Sequence, residues 1–156
     1  MITQPEQVVV DSGIFLAAVL QEPYSKQADR LINFWNQQRI QIVAPTLFRY
    51  EVAAVIRKHV YRKNLTSETA GKVRLQLKPL LANITFMIDE RLLERGYEIA
   101  EHFQRPTAYD SQYLAVAERL NCSFWTADER LFNAIARDLN WVNWLGHFTE
   151  PEPSDS

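Results

Sequence analysis

The sequence predicts an α/β fold, a parallel β-sheet with helices on both faces. Three observations carry that reading. Short apolar runs of strand length recur along the chain, longer amphipathic segments separate them, and acidic or capping residues sit at the junctions. Strands separated by helices imply crossover connections, and crossovers imply parallel neighbours.

Gln7-Val8-Val9-Val10 reads as a buried strand that ends at Asp11, with Ser12 placed to cap a helix running through Leu20. A second helix spans about Tyr24 to Trp35, with Ala28, Leu31, Ile32 and Trp35 on its apolar face. Ile40 to Val43 is the next strand, and Pro45 and Thr46 open a long helix to about Arg62. Thr66 starts a further helix, which Pro79 is expected to kink or end. Ile84 to Ile88 forms a third strand, followed by a helix from Glu90 to Phe103. The chain breaks at Arg105-Pro106-Thr107, and a helix runs from about Ala108 to Leu120. Ser123 to Thr126 is a strand, Asp128 to Arg137 a helix, and Trp141 to Trp144 a last strand. The sheet should therefore hold about five strands.

Length and composition bound the function. At 156 residues and 47% hydrophobic, the chain can bury a core and is expected to form one domain over residues 1–148. Residues 149–156, with Pro151 and Pro153, are expected to be a disordered acidic tail. No apolar run reaches membrane-spanning length, Met1 to Gln7 lacks a secretory pattern, and the one cysteine, Cys122, has no intrachain partner. These features point to a cytoplasmic protein with no membrane association. A net charge of −2 supplies no overall attraction for nucleic acid, so such a partner needs a local basic surface or metal ions that invert an acidic pocket.

Four acids stand at strand-to-helix junctions or early in a helix: Asp11, Glu51, Asp110 and Asp128. Each also has a plain structural reading. Asp11 is suited to cap a helix. Glu51 has Leu47, Phe48, Ala54 and Val55 three and four positions away, so it is expected on an apolar stripe, paired either with an arginine or with a cation. Asp110 heads a stripe of Tyr113, Leu114 and Ala117, and Thr107 to Asp110 has capping-box spacing. Thr126 to Glu129 has the same spacing, which would make Asp128 a first-turn residue. Taken together, however, the four converge on the sheet edge where open α/β folds bind ligands. Clustered carboxylates repel one another unless positive charge is supplied, and an all-oxygen set favours Mg²⁺ or Mn²⁺. His59, His102 and His147 show no paired spacing and are expected at the surface or its boundary. Asp89, which also follows a strand, reads as a cap.

Read together, these junctions resemble the PIN-domain nucleases, and within them the VapC-type toxins of bacterial toxin–antitoxin modules. The matching stretches are Val8-Val9-Val10-Asp11-Ser12, Ala44 through Val52, Tyr109 through Ala117, and Phe124-Trp125-Thr126-Ala127-Asp128. The resemblance spans roughly Val8 to Phe148, and Thr66 to Leu81 carries no matching motif. It implies a three-layer α/β/α sandwich and an endoribonuclease that hydrolyses RNA phosphodiester bonds, leaving 5′-phosphate and 3′-hydroxyl ends. Asp11, Glu51, Asp110 and Asp128 would be its catalytic, metal-binding acids, with Ser12 and Thr126 as supporting hydroxyls. It also implies a homodimer and a cognate antitoxin that covers the active site.

Candidate RNA contacts are Arg49, Arg57, Lys58, Arg62 and Lys63, grouped with His59 on the helix that carries Glu51. Their plain reading is a solvated, dipole-compensating helix end. Trp125 and Tyr109 are candidates to stack on bases, with core packing the simpler role for Trp125. Two other functional classes remain open. One is a non-catalytic RNA- or protein-binding module on the same fold, against which the costly charge cluster argues. The other is an aspartate-nucleophile phosphatase, which usually carries a second aspartate where this chain has Gly13.

Overall fold

The structure, a computed structural model, describes residues 5–152. The far end of the expected tail, residues 153–156, lies outside that range. Thr149 to Glu152 are exposed, and Glu150 makes a surface ion pair with Arg30 at 3.7 Å.

Five strands form one parallel sheet: β1 (Gln7–Val10), β2 (Gln41–Pro45), β3 (Thr85–Met87), β4 (Ser123–Thr126) and β5 (Val142–Trp144), in the order β3-β2-β1-β4-β5. The valines of β1 are buried on both faces, as the unbroken apolar run of a central parallel strand requires. Seven helices connect and cover the sheet: α1 (Ser12–Val19), α2 (Ser25–Gln37), α3 (Leu47–Tyr61), α4 (Ser67–Leu81), α5 (Glu90–His102), α6 (Tyr109–Leu120) and α7 (Glu129–Ile135). A short 3₁₀ turn, Leu145–His147, follows β5. The result is the expected three-layer α/β/α sandwich.

The strand order has a functional consequence. From the central β1 the chain winds outward through β2 and β3 on one side, then returns to add β4 and β5 on the other. The carboxyl ends of β1 and β4 therefore flank the point where the winding reverses, and there the two diverging crossovers leave a crevice.

Every element predicted from the sequence is present, with ends displaced by a few residues. Several local details differ. Of the two cap candidates the sequence offered for α1, Asp11 and not Ser12 is the N-cap, its side chain accepting the Ile14 N–H at 3.3 Å. Neither capping box forms: α6 starts after Ala108 with no side-chain cap, and α7 is capped by Asp128 itself, which accepts the Leu131 N–H at 3.1 Å. Thr126 is the last residue of β4, so its hydroxyl is committed to other partners. Pro79 lies inside α4, which continues to Leu81. So near the helix end its ring disturbs only the closing turn. Asp89 is a cap, as expected, accepting the Arg91 N–H at 2.7 Å.

On the outer layer α5 and α6 pack closely through Gly96, where a Cβ would lie 2.1 Å from the Gln112 amide nitrogen. That contact sets how near α6 lies to α5, and α6 in turn covers β1, β2 and β4.

Candidate functional site

Asp11 leaves β1 directly into α1 at the winding reversal, and its backbone N–H still pairs with the Trp125 carbonyl of β4 at 3.1 Å. Its carboxylate consequently faces the β4–α7 connection. There it accepts the Thr126 hydroxyl at 2.5 Å and the Ala127 N–H at 3.3 and 3.4 Å. Thr126, fully buried, accepts the Asp128 N–H in turn at 2.9 Å. One buried hydroxyl thus ties the junction after β1 to the junction after β4. Gly13 permits the approach: a Cβ there would lie 3.0 Å from the Ala127 Cβ and 3.3 Å from an Asp11 carboxylate oxygen.

Glu51 reaches the same region from the second turn of α3. The buried face of that helix is Phe48, Val52 and Ile56, with Leu47 and Val55 half-buried and Ala54 exposed. Glu51 therefore lies at the edge of the apolar stripe, not within it. Its partner is neither an arginine nor, in the protein alone, a cation, but the Tyr113 hydroxyl, which donates to the carboxylate. Tyr113 comes from α6, is buried, and stacks on Phe124 of β4 with ring centroids 5.8 Å apart. Ser12, also buried, stands beside the same hydroxyl.

Asp110 opens α6, and Asp128 caps α7 as an exposed residue. Asp110 is half-buried and has Arg105 as a charged neighbour at 3.6 Å. Capping and pocket membership are compatible for Asp128, which caps α7 through Oδ1 alone, whereas Asp11 accepts from Ile14, Thr126 and Ala127 through both oxygens.

Electrostatics join the four acids into one chain of neighbours. Burial pushes the Asp11 carboxyl up to about 7, against the hydrogen bonds from Thr126, Ala127 and Ile14, with Glu51 repelling it further. Glu51 is raised by burial, lowered by Tyr113 and raised by Asp110. Asp110 is raised by burial and by Asp128, and lowered by Arg105. Raised proton affinity is what partly buried carboxylates show when they face one another without a counter-charge. A hard divalent ion fits the chemistry of this donor set. Among the described residues, no three acidic, histidine or cysteine side chains stand close enough to enclose one ion.

The candidate basic residues divide. Arg49 and Arg57 line a groove of about 640 Å³ between α3 and α4, opposite Arg74 and Lys78 of α4, over a floor that includes Val52, Ile56 and Leu77. Arg49 also lies 5.5 Å over the Phe86 ring. Lys58, Arg62 and Lys63 are exposed at the end of α3, with Lys58 in the last turn, where a cation favours the helix dipole. Trp125 packs edge-on against Trp35 and Phe148, while Tyr109 is exposed. His102 and His147 are exposed and His59 half-buried, as expected. Tyr113 and Arg105 are site neighbours that the sequence pattern did not single out. The available signal for Tyr113 was a hydroxyl on a stripe facing the core, since buried tyrosines seek a partner.

This geometry defines a class: an open parallel sheet with clustered carboxylates at its winding reversal. Comparison with known proteins agrees. The family model described as "PIN domain" matches residues 8–138. Ribonuclease VapC9 of Mycobacterium tuberculosis is 36% identical over 124 residues, covering 80% of this chain and 87% of that one. Ribonuclease VapC3 of Pyrobaculum aerophilum is 27% identical over 126 residues, covering 80% and 92%. The fold is shared with crystal structures of PAE2754 from Pyrobaculum aerophilum (TM-score 0.60, 21% identity, 84% and 87% covered) and FitAcB from Neisseria gonorrhoeae (TM-score 0.62, 12% identity, 90% and 99% covered). The chain belongs to the PIN domain family, within its VapC group.

Proposed function

We propose that this protein is a metal-dependent endoribonuclease, the toxin of a toxin–antitoxin pair, with Asp11, Glu51, Asp110 and Asp128 holding Mg²⁺ or Mn²⁺. The observation that carries the reading is the chain of mutually repelling carboxylates across the β1–β4 crevice. The ribonuclease names of relatives spanning most of the chain support it.

A divalent cation in such a pocket supplies the charge that acidifies a water and stabilises the leaving oxygen of a phosphodiester. The protein's own residues do the rest. Thr126 and the Ala127 N–H hold Asp11 in one orientation, and the Tyr113 hydroxyl holds Glu51. Ser12 supports the Tyr113 hydroxyl, while Asp110 and Asp128 stand at the open side, where a carboxylate can take the proton of an attacking water. Arg49 and Arg57, with Arg74 and Lys78, give RNA phosphates a basic path along the α3–α4 groove. Lys58, Arg62 and Lys63 extend it at the end of α3.

The protein functions in the cytoplasm as a homodimer of single domains spanning residues 1–148, and its cognate antitoxin covers the pocket. No helix among the described residues is long and apolar enough to cross a membrane. The test is cleavage of an end-labelled single-stranded RNA. Wild type should cut it with Mg²⁺ or Mn²⁺ and stop with chelator, and Asp110→Asn should bind RNA without cutting. Metal-independent binding with no cleavage under any condition would support a non-catalytic module instead.

A further inference from the structure

Among the described residues, Arg105 is the one basic side chain ion-paired with an acid of the pocket, and its placement is specific. The C-terminus of α5 closes in a two-bond cap: the Gln104 N–H pairs with the Glu101 carbonyl at 3.1 Å and the Arg105 N–H with the Ala100 carbonyl at 2.8 Å. Gln104 takes the left-handed conformation that this cap requires, at φ 53°. Pro106 then restricts the backbone on the other side. Arg105 is therefore held by main chain at both flanks, five residues before Asp110.

The side chain is anchored far less than the backbone. Its side chain is 27% exposed, and its Nη2 lies 3.6 Å from Asp110 Oδ2, a loose ion pair longer than an ordinary hydrogen bond. Apart from this pairing with Asp110, no side-chain hydrogen bond from Arg105 is made to any described residue. The nearby arginines differ. Arg95 bonds Glu118 at 2.7 and 3.0 Å and Glu98 at 3.0 Å, and Arg119 bonds Asp89 at 2.9 Å. Those two are engaged in structural pairs. Arg105 meets only Asp110, and loosely, so most donors of its planar fork stay open beside the carboxylate cluster, and such a fork matches the oxygens of a phosphate.

We propose that Arg105 holds the RNA phosphate at this site, screening Asp110 in the substrate-free pocket and turning to a non-bridging phosphate oxygen when RNA enters. This assignment rests on the ribonuclease reading above. It answers a physical difficulty of that reading: a polyanion approaching four carboxylates is repelled unless a cation meets it at the rim. Because Arg105 and a metal ion both offer positive charge to Asp110, the assignment also requires that they compete.

The experiment compares wild type with Arg105→Gln and Arg105→Lys in three measurements. Mn²⁺ affinity without RNA is read by calorimetry, RNA affinity by fluorescence anisotropy in an Asp11→Asn background, and kcat and KM at saturating Mn²⁺. Arg105→Gln should bind Mn²⁺ severalfold more tightly and RNA roughly tenfold more weakly, in keeping with the loss of a charged hydrogen bond. KM should rise more than kcat falls, and Arg105→Lys should recover part of the RNA affinity. If Arg105→Gln cuts and binds RNA as wild type does and loses only melting temperature, Arg105 is a structural ion pair and the assignment is overturned. Weaker Mn²⁺ binding by Arg105→Gln overturns it too, since Arg105 would then organise Asp110 for the metal. A wild type that neither binds Mn²⁺ nor cuts RNA removes the ribonuclease reading, and this assignment falls with it.

Discussion

Replacing Asp11 by asparagine in the metal-free protein should stabilise it at alkaline pH and not at acid pH. Burial moves the Asp11 carboxyl from 3.8 to about 7. Between those values the folded protein keeps a proton that the unfolded chain has released, so stability falls as pH rises from about 4 to about 7 and stays at the lower level above it. About three units at roughly 1.4 kcal/mol each set an upper bound of about 4 kcal/mol. The residue retains some solvent exposure, and asparagine weakens the bonds from Thr126 and Ala127, which together remove about half of that figure. A net gain of about 1–2 kcal/mol remains at pH 8, or roughly 3–6 °C in Tm for a chain of this size. Thermal unfolding in chelator at pH 4, 6 and 8 reads it directly. At pH 4 the variant should be equal to or less stable than wild type, because only the lost hydrogen bonding remains. Melting curves of the two proteins that run parallel from pH 4 to pH 8 would refute the argument that burial makes the Asp11 charge costly.

Three further substitutions probe the support of the pocket. Tyr113→Phe keeps the ring stacked on Phe124 but removes the donor to half-buried Glu51; denaturant unfolding should show a loss of about 1 kcal/mol, and RNA cleavage should slow severalfold. Gly13→Ala pushes a methyl against Ala127 and Asp11, so cleavage should fall roughly tenfold while Tm changes little. In Gly96→Ala the new methyl displaces Gln112 from between α5 and α6, costing about 1 kcal/mol net of the helical gain of alanine. Adding Gln112→Ala should recover most of that loss, which a double-mutant cycle would measure.

The fold was legible because its elements differ in period and punctuation. The unbroken Val8-Val9-Val10 run marks a buried parallel strand, and β1 is indeed central and covered on both faces. Strand order was not legible, since an apolar pattern says that a strand is buried and not which strand lies beside it. The positions of the four acids after strands or early in helices could be read from the sequence, and the structure brings them within electrostatic reach of one another. What holds them could not. Thr126 touches Asp11 across a sequence separation of 115 residues, and Tyr113 touches Glu51 across 62, contacts that only the closed sheet creates. Spacing also misplaced Glu51, because α3 turns Phe48, Val52 and Ile56 inward and leaves the glutamate on their flank. Arg105 was hidden in a segment that reads as a chain break, where backbone capping rather than side-chain pattern sets its position.

That separated carboxylates act as one cation-holding pocket is tested most directly by anomalous diffraction from crystals grown or soaked with millimolar Mn²⁺. A manganese peak should lie at the carboxyl ends of β1 and β4, with oxygens of Asp11 and at least two of Glu51, Asp110 and Asp128 about 2.0–2.4 Å away, near the usual range for hard divalent ions. A map with no peak there, or with manganese bound only elsewhere on the surface, would contradict it.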